Sequence, residues 1–200
     1  MAITSASTHA LTGEPSDRSL LQGVRRGDER AFEELFLRHY SWLLGVVRRI
    51  IGDADEAEEI VQETFLRLYQ RPTIVNDDVN ARGWLYRVAA NTAFNAVRSR
   101  NRRARWSLRL ARRPETGETS DDPLAIVTAM DEAARVRMCL AGLPERQRHV
   151  LVLRAEGHSY AEIANMIDVK PGSVGTILAR AEHALRSHVE RNRHGLGDRV

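Results

Sequence analysis

The sequence predicts an all-α protein, two small helical domains joined by a flexible linker. Three observations carry this. Apolar residues recur with a helical 3.6-residue period from Asp17 onward, no comparably long alternating pattern argues for strands, and the stretch from Ser107 to Asp122 loses the period while gaining Pro, Gly, Ser and Thr. The expected organisation is a mobile tail at 1–16, a first domain at 17–106, a linker at 107–122, a second domain at 123–188 and a C-terminal tail at 189–200.

In the first domain Phe32, Leu35, Phe36, Tyr40, Leu43, Leu44, Val47 and Ile51 share one stripe of a long helix, which Gly52-Asp53 breaks. A second helix follows, with Ala57, Ile60, Val61, Thr64, Phe65 and Leu68 inward and Pro72 ending it. After the polar connector "TIVNDDVNA" comes a third long helix, buried through Leu85, Val88, Ala89, Thr92 and Ala96. In the second domain Pro123 and Pro144 are placed in the first turns of helices, Gly157 ends the helix that Pro144 begins, and Ser159 with Glu162 has capping-box spacing. The last helix pair, around "IDVK", has Ile163, Ala164, Ile167, Val174, Ile177, Leu178 and Ala181 on its inner faces, a helix-turn-helix pattern.

Composition narrows the class. The chain has 200 residues, 42% hydrophobic and 28% charged, values of a globular protein rather than a disordered one. No run approaches a membrane span and the N-terminus lacks the basic start and apolar stretch of a signal peptide, so a cytoplasmic protein without membrane insertion is expected. The single cysteine, Cys139, excludes an internal disulfide and a four-cysteine zinc site. P-loop, GxGxxG, HExxH and GxSxG motifs are absent and the seven histidines lack metal-ligand spacing, so no catalytic residue, metal or cofactor is expected.

Three constellations remain. On the last helix Ser173, Thr176 and Arg180, with Lys170 at its start, lie at groove-reading spacing; a solvated helix face is the alternative. Arg146, Arg148, Arg154 and Arg186 nearby are placed to hold phosphates. On the third helix Trp84, Arg87, Asn91, Asn95, Arg98 and Arg102 fall within about 80° of one another, offering amides, guanidinium groups and a stacking ring to single-stranded nucleic acid. From Val79 to Pro114 there are ten arginines and no acid, which weighs against a merely solvated face. Phe94, at the margin of this stripe, is left open between packing inward and touching a base. In "DADEAEEIVQETF", Asp55, Glu59, Gln62, Glu63 and Leu66 form an outward stripe that is either a helix-start acidic cluster or a dock for a basic partner helix.

"DEAEEIVQETFLRLYQ", then "WLYRVAANTAFNAVRSRNRR", a linker, and "LPERQRHVLVLRAEGHSYAEIANMIDVKPGSVGTILARAEHALR" together resemble the extracytoplasmic-function sigma factors of the sigma-70 family, from about Asp17 to His188. The resemblance implies a region 2 bundle and a region 4 helix-turn-helix that join RNA polymerase core and direct it to promoter DNA, without catalysis of their own. It implies that Asp55, Glu59, Gln62, Glu63 and Leu66 bind core polymerase. Asn76, Asn80, Arg87, Asn91 and Asn95 would read the unwound minus-10 strand, Trp84 supporting its opening and Arg98 and Arg102 continuing the stripe. Lys170, Ser173, Thr176 and Arg180 would lie near minus-35 bases. An anti-sigma factor is the family's usual regulator. The alternative is a stand-alone transcriptional regulator of the LuxR type; it would need a sensing domain, for which residues 17 to 106 show no pocket pattern.

Overall fold

The computed structural model describes residues 15–72, 80–111 and 132–194, and those residues form eight helices. The first is α1, Asp17–Arg25, capped by Ser16. Gly27 in the left-handed region (φ 81°) turns the chain, and Asp28 caps the amides of Arg30 and Ala31 to start α2, Glu29–Ile51. The break between α1 and α2 is imposed by this Gly-Asp pair. The turn is tight, since a Cβ on Gly23 would lie 2.6 Å from that of Ala31.

Gly52 (φ 75°) closes α2 and Asp53 caps α3, Ala54–Gln70. α4, Ala81–Ala111, starts where the Asn80 side chain accepts from the Arg82 amide. It continues through Ser107, five residues past the end expected for the first domain. The tail at 1–14, Asn76 and the expected start of the second domain at Pro123 lie outside the described residues.

Leu35, Leu43, Val46, Val47, Ala57, Val61, Leu68, Leu85 and Ala89 are fully buried where α2 packs on α3 and α4. Phe65 is wedged between Phe36 (ring centroids 4.8 Å apart) and Phe32 (6.4 Å). Truncating such a side chain leaves a cavity, and Phe65→Ala is expected to cost about 3–5 kcal/mol of a total near 5–15 kcal/mol. Urea denaturation of the two proteins measures it; a loss under about 1 kcal/mol would contradict this packing.

The second half comprises α5, Glu132–Ala141, α6, Glu145–Ala155, α7, Tyr160–Ile167, and α8, Pro171–His194. Pro144 stands at the N-cap of α6, Gly157 (φ 86°) follows its end, and Ser159 and Glu162 make the full capping box of α7. Asp168, also left-handed (φ 56°), separates α7 from α8, and Val174, Leu178 and Ala181 hold α8 against α6 and α7. α8 runs six residues past His188, into the expected tail.

The two halves share one continuous core. α4 is buried on two sides: Leu85 and Ala89 belong to the stripe read from sequence, while Tyr86, Ala90, Phe94 and Val97 form a second apolar strip. Tyr86 and Phe94 meet the α6 ring of His149, at centroid distances of 5.3 and 6.2 Å. Phe94, open on the sequence, therefore packs inward.

Candidate nucleic-acid and partner interfaces

The acidic stripe of α3 is exposed as its spacing implies. Asp53 caps the helix, and Asp55, Glu59, Gln62 and Glu63 point to solvent with Leu66 47% exposed. Beside them lies a hollow of about 570 Å3 formed by Phe32, Phe36, Phe65, Leu66 and Tyr69 and rimmed by Glu59, Gln62 and Glu63. An apolar floor with a carboxylate and amide rim suits an amphipathic basic helix. The aromatic floor comes from Phe32 and Phe36 of α2 and Phe65 and Tyr69 of α3; Phe32, Phe36 and Phe65 read as core in sequence, so the floor was not expected as part of the surface.

The helix pair α7–α8 presents Lys170, Ser173, Thr176 and Arg180 to solvent. Lys170 and Ser173 share a shallow hollow of about 540 Å3 with Arg146, Pro171 and Ile177. Among the expected phosphate holders, Arg146, Arg154 and Arg186 are exposed, but Arg148 is 4% exposed and engaged. Its Nη2 donates to Asn91 Oδ1 (2.8 Å), its Nη1 donates to the Leu143 carbonyl (3.3 Å), and its guanidinium covers the Phe94 ring at 4.9 Å. Burial, then the charge of Arg98, lowers its pKa. In this arrangement Arg148 is a strut between the halves, not a phosphate contact.

The α4 stripe departs furthest from the exposed face expected. Arg87 donates to the Met166 carbonyl in the last turn of α7 (3.2 Å), where a cation also suits the negative end of the helix. Asn91 Nδ2 donates to Glu145 Oε1 (2.8 Å), while its Oδ1 accepts from Arg148 and from His149 Nε2 (3.2 Å). Trp84 is half-buried against the core. Asn95 and Arg102 are exposed, and Arg98 is half-buried and donates to Asn95. Asn80 is occupied as the cap of α4. The stripe thus divides: Arg87 and Asn91 are held by the second domain, whereas Asn95 and Arg102 are exposed.

Other contacts reinforce the closure. Arg82 sits over the Trp42 ring at 4.1 Å, His158 meets Trp42 edge-on, and Arg49 pairs with Glu156. A Cβ on Gly83 would lie 2.9 Å from both Cα and O of Met166, so α4 and α7 approach backbone to backbone. The fit is nevertheless imperfect: Arg82 Nε, Arg148 Nε and His158 Nε2 are buried without a hydrogen-bond partner, a penalty that makes the interface easier to separate.

His149 lies at the centre, 2% exposed. The Tyr86 hydroxyl donates to its backbone carbonyl (3.3 Å) and lies 3.2 Å from its Nδ1, and Asn91 Oδ1 lies 3.2 Å from its Nε2. Burial, and then the positive charge of Arg148, lower its pKa to about 4. Asn91's hydrogen bond lowers that of Glu145. No group of three or more His, Cys, Asp or Glu that could hold a metal occurs among the described residues, and no described helix is long and apolar enough to cross a membrane.

Helix-turn-helix, arginine-lined helix and acidic-rimmed hollow together define a DNA-reading protein that also docks on another protein. The sigma-70 region 2 family model matches residues 35–103 and the sigma-70 region 4 model matches residues 133–185. The chain is 36% identical over 183 residues to the RNA polymerase sigma-H factor of Pseudomonas aeruginosa, covering 88% of this chain and 94% of that protein. It is 30% identical over 187 residues to the ECF RNA polymerase sigma-E factor of Escherichia coli, covering 90% and 97%. A solved structure of CnrH in complex with the cytosolic domain of CnrY is similar, with TM-score 0.55 and 25% identity over 88% of this chain and 99% of that one.

The chain belongs to the extracytoplasmic-function sigma factors of the sigma-70 family. Sigma factors of this kind are DNA-binding initiation factors: they bind core RNA polymerase and direct promoter recognition, DNA melting and the start of transcription.

Proposed function

We propose that this sigma factor divides its work among the three surfaces described. The hollow rimmed by Glu59, Gln62 and Glu63, with Asp55 and Leu66 beside it, docks on core polymerase. The α4 stripe, from Trp84 through Arg87, Asn91 and Asn95 to Arg98 and Arg102, takes the unwound minus-10 strand together with Asn80, and with Asn76, which lies outside the described residues. Lys170, Ser173, Thr176 and Arg180 take the minus-35 duplex. It acts in the cytoplasm and catalyses nothing itself. The domain boundary falls after α4, within the expected linker.

Arg87 and Asn91 cannot hold Met166, Glu145 and Arg148 and at the same time bind DNA, so the described arrangement is a closed state that opens for promoter reading. The similar CnrH was solved in complex with the cytosolic domain of a second protein, CnrY, and we infer that a partner protein, an anti-sigma factor, keeps this chain closed.

The observation that carries the polymerase reading is the exposed apolar hollow with its acidic rim, which matches the apolar and basic faces of an amphipathic partner helix. Glu63→Arg places a cation on that rim and is expected to weaken core polymerase binding at least about tenfold, about 1.4 kcal/mol. Among the described residues Glu63 pairs with Arg67 on its own helix (2.9 Å), so folding should be retained. Binding of fluorescently labelled factor to core polymerase reads the effect, and an unchanged affinity would refute the docking assignment.

A further inference from the structure

Where α4, α5 and the end of α8 meet there is a cavity of about 400 Å3, within the range of small-ligand sites. Arg98 and Arg102 enter it from α4, one turn apart, and His188 and Arg191 enter from α8. No carboxylate lines it. Met138 and Cys139, among others, give it an apolar wall. Three arginines and a histidine from both domains therefore line one cavity with no lining acid to offset them, and the field of Arg98, whose Nη2 donates to Asn95, already lowers the pKa of Arg148 behind it.

From this geometry we infer that the cavity binds a small phosphoanhydride, and that its occupancy holds the sigma factor closed. Guanidinium forks match phosphate oxygens two at a time, and two forks one helical turn apart can each take one phosphate of a pair. The volume exceeds what a single phosphate fills, and the Met138–Cys139 wall offers an apolar seat to whatever the phosphates carry. The cationic groups come from both domains. A ligand that bridges them binds the closed state and not the open one, so it stabilises closure in proportion to its saturation. It also occupies Arg98 and Arg102, which the promoter strand would use.

The inference rests on the closed state and on the function proposed above, and the test separates the two. Full-length factor is titrated with inorganic pyrophosphate, with ADP, and with sulfate at matched ionic strength, by calorimetry. Saturable binding of pyrophosphate below about 1 mM, with sulfate at least tenfold weaker, is expected. ADP binding tighter than pyrophosphate shows that the ligand is a nucleotide; ADP binding no tighter shows that the phosphoanhydride alone is recognised. The variant His188→Gln with Arg191→Gln should lose at least tenfold in pyrophosphate affinity while keeping its thermal midpoint and core polymerase binding. His188→Gln alone, a smaller change, should lose part of it.

In the same solutions pyrophosphate should weaken binding of a single-stranded minus-10 oligonucleotide to the free factor, and the double variant should escape that effect. Absence of saturable binding, equal binding of sulfate, or undiminished affinity in the double variant would overturn the inference. Failure of the factor to bind core polymerase without any added anion would instead overturn the proposed function.

Discussion

Gly83→Ala should free the promoter-reading stripe. The added Cβ would meet the backbone of Met166 at 2.9 Å, and neither helix can yield there by turning a side chain. Overpacking of this kind costs about 1–3 kcal/mol. That cost falls on the interface alone, because alanine suits the interior of α4 better than glycine by about 1 kcal/mol. The closed state should therefore lose roughly 5- to 150-fold in population relative to the open one. The Arg87 bond to the Met166 carbonyl and the Asn91 bonds to Glu145 and Arg148 go with it. Free Gly83→Ala factor should bind a single-stranded minus-10 oligonucleotide at least about fivefold more tightly than the parent, with core polymerase affinity undiminished. Weaker oligonucleotide binding in a folded variant would show that the contact supports the reading stripe instead of covering it.

Acid should produce the same opening without mutation. His149 is held neutral, its pKa lowered from 6.5 to about 4 by burial and by Arg148. The groups facing it are Tyr86, Asn91 and Phe94 from α4, with Glu145 and Arg148 from its own helix and Arg87 in its field. A base whose folded pKa is depressed binds fewer protons folded than unfolded. Its contribution is complete above pH 6.5 and is lost as pH falls from 6.5 toward 4, by about 2 kcal/mol at pH 5. Asp17 titrates in a lower window: its hydrogen bond to His39 lowers its pKa below 3.8, and α1 should stay docked until that range. Tyr86 fluorescence quenching or hydrogen exchange at α6 should therefore report separation between pH 6.5 and 4, before α1 detaches. His149→Gln, which keeps hydrogen-bonding capacity without a titrating ring, should flatten that transition. An unaltered profile in the variant would assign the acid effect to another group.

The helices were legible where one apolar stripe per helix met water on the opposite side. The run Leu35, Leu43, Val47 and Ile51 was readable because its polar neighbours really are exposed, and the capping box at Ser159 because a cap depends only on local sequence. The reading faltered on α4, which is buried on two sides. Tyr86, Ala90, Phe94 and Val97 had the spacing of a second strip, but the polar residues between them looked like a solvent face. Arg87, Asn91 and Arg148 are polar and yet engaged across the interface, hydrogen-bonded to partners far away in sequence that periodicity cannot locate. The acidic stripe of α3 was visible, whereas its aromatic floor was not, because Phe32 and Phe36 serve core and surface together.

The most direct measurement is the distance between the two domains in the free factor and in the transcribing complex. Dyes at Ser41→Cys on α2 and Glu182→Cys on α8, both exposed positions, in a Cys139→Ser background, would report it by energy transfer. The transfer should be high in the free protein and fall when core polymerase and promoter DNA are added and run-off transcript appears. Transcript formed with transfer unchanged would mean that the domains read the promoter while still closed, and would contradict the account.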